Sequence, residues 1–550
     1  MRNKIIFLFT FIFLLIALFP SAFSMVTNEK NPQTVAESSQ FTATSRYTDV
    51  IRFIHKLQKQ SPLIRVETLC ISPEGREVPL IIIGNPPPTV PSKLQQDTRA
   101  VIYIQANIHA GEVEGKEASL MLTRDIIQDP ALPYLENLIL LIAPIFNADG
   151  NEKIRPENRY YQAGPEQGVG VRYNGQHLDL NRDSIKLESP ELQGLVQNVL
   201  MRWDPVLLVD CHTTNGSYHQ EPVTYSWPLN PNGDASILLY MRDRMMPSIQ
   251  KSLLEKYDTL SIPYGNYLDH RHPEKGWRTF TPHPRYVTNY VGLRNRFAIL
   301  DENYVFTDYK TRVYSCYSFL RSILDYCNRQ KNEIVQLVQD ADRKTIQRGL
   351  DPSPDDAWGL TYDLKSLKDP IQIKSWEFEI IPGQQGRRSI KKTDREKTYN
   401  VPYYADFTIQ KTIPFPFGYL ILSPCPEVEL KLRQHGIVVE KLAENATLEV
   451  EGFMIKDVKS SERLYQGHMI NTVEGEYFKE SREFPEGTLF VGTAQPLANL
   501  AVCLLEPESD DSLLTWNFFD RYLVPQWGNE PQVYPVFRIL KAVNLAKQSY

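Results

Sequence analysis

Four short stretches carry side chains that could act together: His109-Ala-Gly-Glu112, Asp179-Leu-Asn181-Arg182, Cys211-His212-Thr213-Thr214 and Leu300-Asp301-Glu302. They supply two imidazoles and a carboxylate, donor types that zinc accepts. An amide and a guanidinium fork suit an anion, and a further carboxylate is left over. This inventory fits hydrolysis at a metal, next to a carboxylate on the substrate.

An HxxE pair alone is a weak signal, since a chain with 10 histidines gives on the order of one chance match. Context strengthens it. His109 and Glu112 lie where an apolar run gives way to a glycine-bearing turn and then a helix, so both side chains can face one point. A catalytic zinc takes three protein ligands and keeps one open position, so a third ligand is required. His212 is the best candidate because it follows the apolar run from Val206; His177, His219, His270, His272 and His283 are rivals that fit loops better. Glu302, at the end of Phe297-Ala-Ile-Leu-Asp301, suits a general base. Asp301 competes for that role, because one step along a strand changes the face. Asp179 is placed to accept the free N–H of a ligating histidine.

These residues need a scaffold. A helix is expected over Arg46–Gln60 and short strands over Ile64–Ile71 and Val78–Ile83. Buried strands are expected over Ala100–Ala106, Leu138–Phe146, Val206–Val209 and Phe297–Leu300. With a helix over Gly115–Ile127 and another over Val313–Gln330, the alternation reads as α/β: a mixed, mostly parallel sheet covered on both faces. His109, Asn147, His212 and Glu302 each come just after such a strand, where ligands gather in these sheets.

The 550-residue chain has 42% hydrophobic residues and a net charge of −6, enough for sizeable cores and without a basic stripe for nucleic acid. Arg2 and Lys4, an apolar run Ile5–Phe19 and the small-residue exit Pro20–Ser24 read as a signal peptide over residues 1–24. The run is shorter than the roughly 20 residues that span a membrane, so the expectation is an exported chain, periplasmic or secreted, with no stable membrane span after signal removal. A polar, disordered leader is expected over residues 25–44 and a catalytic domain over 45–335. A helix and linker follow over 336–355, and then a β-rich region over 356–550 whose short alternating segments are of the kind found in β-sandwiches. Six scattered cysteines without a CxxC pair do not make a disulfide framework.

His109-x-x-Glu112, Asp179-x-Asn181-Arg182, His212 and Glu302, in that order, resemble the zinc metallocarboxypeptidase family typified by carboxypeptidase A. The likeness covers roughly residues 45–330, about a catalytic domain in length. It implies an α/β/α sandwich and one zinc ion held by His109, Glu112 and His212. It further implies a peptide substrate whose free C-terminal carboxylate is held by Asn181 and Arg182, with Glu302 as general base toward a metal-activated water. An arginine should stabilise the oxyanion; Arg172 is preferred over Arg155 and Arg159. A tyrosine should close over the carboxylate; Tyr286 and Tyr290 are both available, and Tyr290 is the expected substrate contact. The related N-acyl amino-acid amidohydrolases share the HxxE, Asn-Arg and His pattern and give an alternative activity. A non-catalytic binding protein on a peptidase scaffold is a third reading, disfavoured because all ligands and the base are present.

Overall fold

Runs of β-branched residues and leucine that can be buried on both sides build the centre of the molecule. The computed structural model describes residues 31–89, 97–129, 131–214, 216–353, 355–382, 388–422, 424–523 and 532–548. Its main sheet has eight strands: β1 Ile64–Ile71, β2 Glu77–Ile83, β3 Ala100–Ala106, β4 Leu138–Ala143, β5 Leu207–Thr214, β6 Val223–Ser226, β7 Ser261–Pro263 and β8 Phe297–Tyr304. They lie in the order β1-β2-β4-β3-β5-β8-β6-β7. The central β4, β3, β5 and β8 run parallel, while the β1-β2, β2-β4 and β8-β6 pairs are antiparallel. This is the mixed sheet that the sequence pattern implies. Strands β5 and β8 extend five and four residues past the expected ends, so His212 and Glu302 lie within strands and not just after them.

Helices cover both faces. On one lie α1 (Tyr47–Gln60), α2 (Glu114–Gln128) and the first half of α4 (Tyr309–Leu350). Cys211 of β5 faces this side, where a Cβ on Gly115 would sit only 2.5 Å from the Cys211 Cβ. Asp301 of β8 also faces it and accepts a bond from the Cys316 thiol at 3.1 Å. Alternation along the strands then turns His212 and Glu302 to the opposite face, against which α3 (Val287–Leu293) packs.

Three expectations change. Residues 1–30 lie outside the described residues, but the rest of the expected leader is folded. Thr34 and Glu37 form a reciprocal cap, Glu37 pairs with Arg124 at 2.8 Å, and Glu117 receives bonds from Thr44 and Ser45. Paired side chains outweigh the polar composition there. Second, α4 is one helix of 42 residues, so the expected boundary at 335 falls inside it; exposed Asn332 interrupts the apolar pattern but not the backbone. Third, the C-terminal segments form long hairpins. Ile371–Pro382 pairs with Arg388–Val401, and Ala446–Ser460 with Asn471–Phe484. They belong to three sheets of unequal size, one of which joins Tyr403–Pro414 to Trp277–Arg278 and so ties this region to the α/β layer.

Gly115 is where α2 closes onto β5. Substitution Gly115→Ala forces its new methyl group against Cys211 and is expected to cost about 1–3 kcal/mol, read as a lower urea midpoint at unchanged m-value.

Candidate active site

The turn between β3 and α2 brings His109 and Glu112 together. The Glu112 N–H donates to the His109 carbonyl at 2.9 Å, and the Asn107 amide, at a φ of 66°, donates to the Glu112 carbonyl at 3.1 Å. A Cβ at Gly111 would meet the Arg159 side chain at 2.5 Å, so the turn has no room for a larger residue. His212 arrives from β5, with Glu302 beside it in parallel register on β8.

The donor atoms converge. His109 Nδ1 lies 3.2 Å from Glu112 Oε1, His212 Nδ1 lies 2.9 Å from Glu112 Oε2, and the two Nδ1 atoms are 3.2 Å apart. Ligands about 2.0–2.2 Å from a tetrahedral zinc stand about 3.3–3.6 Å from one another, so this donor set needs only a few tenths of an ångström of outward adjustment to take the ion. Among the described residues, one other group of donors, Cys211, Asp301 and Cys316, is close enough to hold a metal, and it is buried on the opposite face of the sheet.

Each imidazole has a carboxylate behind it. His109 Nε2 is 3.0 Å from Asp179 Oδ1, and His212 Nε2 is 2.9 Å from Asp210 Oδ2. Such partners fix the tautomer, so that Nδ1 is left to the centre. Asp210 was not anticipated, although Asp-x-His in a strand necessarily puts both side chains on one face.

Charges in this buried cluster set one another. Burial raises the Glu112 carboxyl, but His109 and Arg159 override it and hold it well below the usual range. Burial lowers the His212 imidazole, but Asp210 and Glu112 hold it well above its usual value. Asp179 is pulled down by His109 and Arg172 against burial. Glu302 goes the other way: burial lifts its carboxyl, against the pull of His212. A carboxyl whose proton affinity is raised toward the working pH is suited to taking and returning a proton.

These groups open onto a cavity of about 340 Å³ lined by His109, Glu112, Arg172, Asn181, Arg182, Tyr264, Tyr286, Thr288, Leu300 and Glu302. Glu302, not Asp301, faces it. Arg172 donates from Nε to Asp179 at 2.8 Å and brings Nη1 to 3.3 Å from His109 Nδ1. Arg159 also reaches the centre, with Nη1 donating to Glu112 at 2.8 Å. Arg155 is exposed. Asn181 is tied to the Val287 N–H at 3.0 Å, and the Arg182 guanidinium lies 4.5 Å from the Tyr286 ring centre. Of the rival histidines, His219 packs against Tyr304, with ring centroids 3.9 Å apart, outside the donor group.

Tyr290 is not brought to the cavity. It is 1% exposed, with its hydroxyl 2.8 Å from His435 Nδ1. Tyr286 lies in the extended residue that caps α3 and reaches the cleft, whereas Tyr290, one turn into the helix, points back into the core.

Residues 50–216 match the family model for zinc carboxypeptidases. The chain is 22% identical over 483 residues to carboxypeptidase 2 of Trichophyton rubrum, covering 85% of this chain and 81% of that protein. It is likewise 22% identical over 486 residues to carboxypeptidase 2 of Trichophyton tonsurans, with the same coverage. A metallo-carboxypeptidase structure from Burkholderia cenocepacia superposes with a TM-score of 0.39 at 16% identity, over 52% of this chain and 69% of that one. Over the region that carries the donor set, the chain is therefore similar to the zinc carboxypeptidases, a family of peptide hydrolases.

The ring that holds Tyr290 gives a pH prediction. Burial lowers the His435 imidazole from 6.5 to about 3. The unfolded chain therefore takes up a proton below pH 6.5 that the folded protein refuses, and stability present above 6.5 is lost as pH falls toward 3. In His435→Gln this loss is expected to flatten, measured as the urea midpoint against pH for both proteins.

Proposed function

We propose that the protein is an exported carboxypeptidase with one zinc ion, releasing the terminal residue from peptides with a free C-terminal carboxylate. His109, Glu112 and His212 would hold the metal, which when bound supplies a Lewis acid and makes water more acidic. Glu302 takes a proton from the attacking water on its carboxylate and returns it to the departing amine nitrogen as the C–N bond breaks. Arg172 faces the developing negative charge on the carbonyl oxygen, and Asp179 holds Arg172 and His109 in their orientations. Asn181 and Arg182 bind the terminal carboxylate, with Tyr286 over the guanidinium in the role expected of Tyr290.

The observation that carries this reading is one cavity that meets a convergent His–Glu–His set through His109 and Glu112, a carboxyl of raised proton affinity and an oriented arginine. The first two hydrolyse, and the third selects chain ends. Export is supported by the basic, apolar and small-residue pattern of residues 1–24. Among the described residues, no helix is long and apolar enough to cross a membrane.

Glu302→Gln is expected to lower kcat by about 10²–10⁴-fold while metal content, measured by elemental analysis, stays at wild-type level; retained turnover overturns the assignment of the base. For Arg182→Ala, KM for free-acid peptides should rise steeply while amidated peptides are cleaved as poorly as by the wild type. Unchanged KM for the acids refutes the carboxylate role, and a preference for N-acyl amino acids over peptides points to the amidohydrolase activity instead.

A further inference from the structure

The pocket for the terminal carboxylate receives its backing from a part of the chain far beyond the region matched by the family model. Strands Ala446–Ser460 and Asn471–Phe484 form a long hairpin whose connection, residues 461–470, ends against the 179–188 segment. Arg182 Nε donates to the Tyr465 hydroxyl oxygen at 3.0 Å. The Asp179 N–H donates to Gln466 Oε1 at 2.8 Å. His468 Nε2 lies 2.8 Å from Glu188 Oε1.

These contacts act on side chains that need fixing. An arginine has many rotamers to lose when it is fixed, and Arg182 is held at three points. Nη1 donates to the Asn181 carbonyl at 2.7 Å, the Tyr286 ring lies 4.5 Å beneath the guanidinium, and Tyr465 takes Nε. Of these, only Tyr465 comes from outside the α/β layer. Gln466 pins the backbone of Asp179, whose carboxylate accepts from the Asn181 N–H at 3.1 Å and from Arg172, and lies behind His109.

The tip is stiff enough for the task. Tyr465 and His468 exchange both backbone hydrogen bonds across two residues, Gln466 and Gly467, with φ of 52° and 83°. That is a type I′ hairpin turn, which needs positive φ at both central positions and suits the twist of paired strands. The Tyr465 ring stacks on Trp516 with centroids 6.1 Å apart, and Arg285 lies over both rings while bound to Asp511 at 2.6 Å. Arg285 is the chain neighbour of Tyr286, so the same cluster supports the guanidinium from both sides.

We infer that the 461–470 hairpin tip is a working part of the carboxylate-binding site, with Tyr465 and Gln466 as positioning residues that set Arg182 and Asp179. The inference rests on the carboxylate role proposed for Arg182. It makes the C-terminal region more than a packing partner, because recognition of the chain end would depend on it.

The test uses the full-length metal-loaded enzyme with one peptide as its free acid and as its C-terminal amide. Tyr465→Phe, which deletes only the hydroxyl, is expected to raise KM for the acid about 3–10-fold, the worth of one ordinary hydrogen bond. The kcat should stay within about two-fold, the amide should be unaffected and Tm unchanged. Gln466→Asn, which keeps a residue that tolerates positive φ but is one methylene shorter, should raise KM in the same direction. Added to Arg182→Ala, Tyr465→Phe should have no further effect, since both remove one interaction. Wild-type KM in Tyr465→Phe, or a fall in kcat and Tm together without loss of acid-over-amide preference, overturns the inference. If Arg182→Ala also leaves that preference intact, the carboxylate reading itself has failed; if Arg182→Ala abolishes it and Tyr465→Phe does not, only the positioning role is lost.

Discussion

The parallel register between β5 and β8 is the constraint on which the site depends. It pairs Cys211 with Asp301 and His212 with Glu302. Because side chains alternate, a slip of one residue would send Glu302 toward α4 and bring Asp301 to the cleft. The register is held by fully buried runs, Leu207–Val209 and Phe297–Ile299, and by the close approach of α2 at Gly115. Behind the sheet, the Cys316 thiol and the Asn303 amide bond Asp301 and keep it there. What looks like core packing on one face is thus what presents an imidazole beside a carboxyl on the other.

The cleft concentrates charge that would be costly to bury without partners. Glu112, Asp179 and Asp210 meet His109, His212, Arg159 and Arg172, and the orienting carboxylates are themselves bonded: Asp210 by Gln105 at 3.1 Å, Asp179 by the Asn181 N–H at 3.1 Å. For Glu302, burial and the neighbouring Glu112 charge raise its proton affinity against the pull of His212 and the two arginines. The difference between Glu112 and Glu302, two glutamates in one cavity pushed in opposite directions, comes from neighbours and not from residue type.

The C-terminal region is built onto this layer at several points. A short strand pairs with it through Trp277–Arg278, Gly349 near the end of α4 leaves no space for a Cβ against Thr493, and the 461–470 tip reaches Asp179 and Arg182. The 42-residue α4 belongs to both parts, packing on α2 at one end and meeting the later chain at the other.

The central strands, the turn carrying His109 and Glu112, and the candidate standing of His212 and of the Asn181-Arg182 pair were legible in the sequence alone, and the fold brings these residues to one cleft. Each follows from local pattern: apolar runs fix where strands form, and strand ends fix where polar residues collect. Tertiary structure decided the rest. Glu302 rather than Asp301 faces the cleft because of the register with β5. Tyr286 reaches Arg182 while Tyr290 turns to His435, a difference of one helical turn whose direction depends on where α3 docks. Arg159 joins Arg172 at the centre, and Tyr465 arrives from 283 residues away. Sequence periodicity records which side of an element is apolar, but which element lies opposite is set by packing over long separations, and that information is absent from any local stretch of the chain.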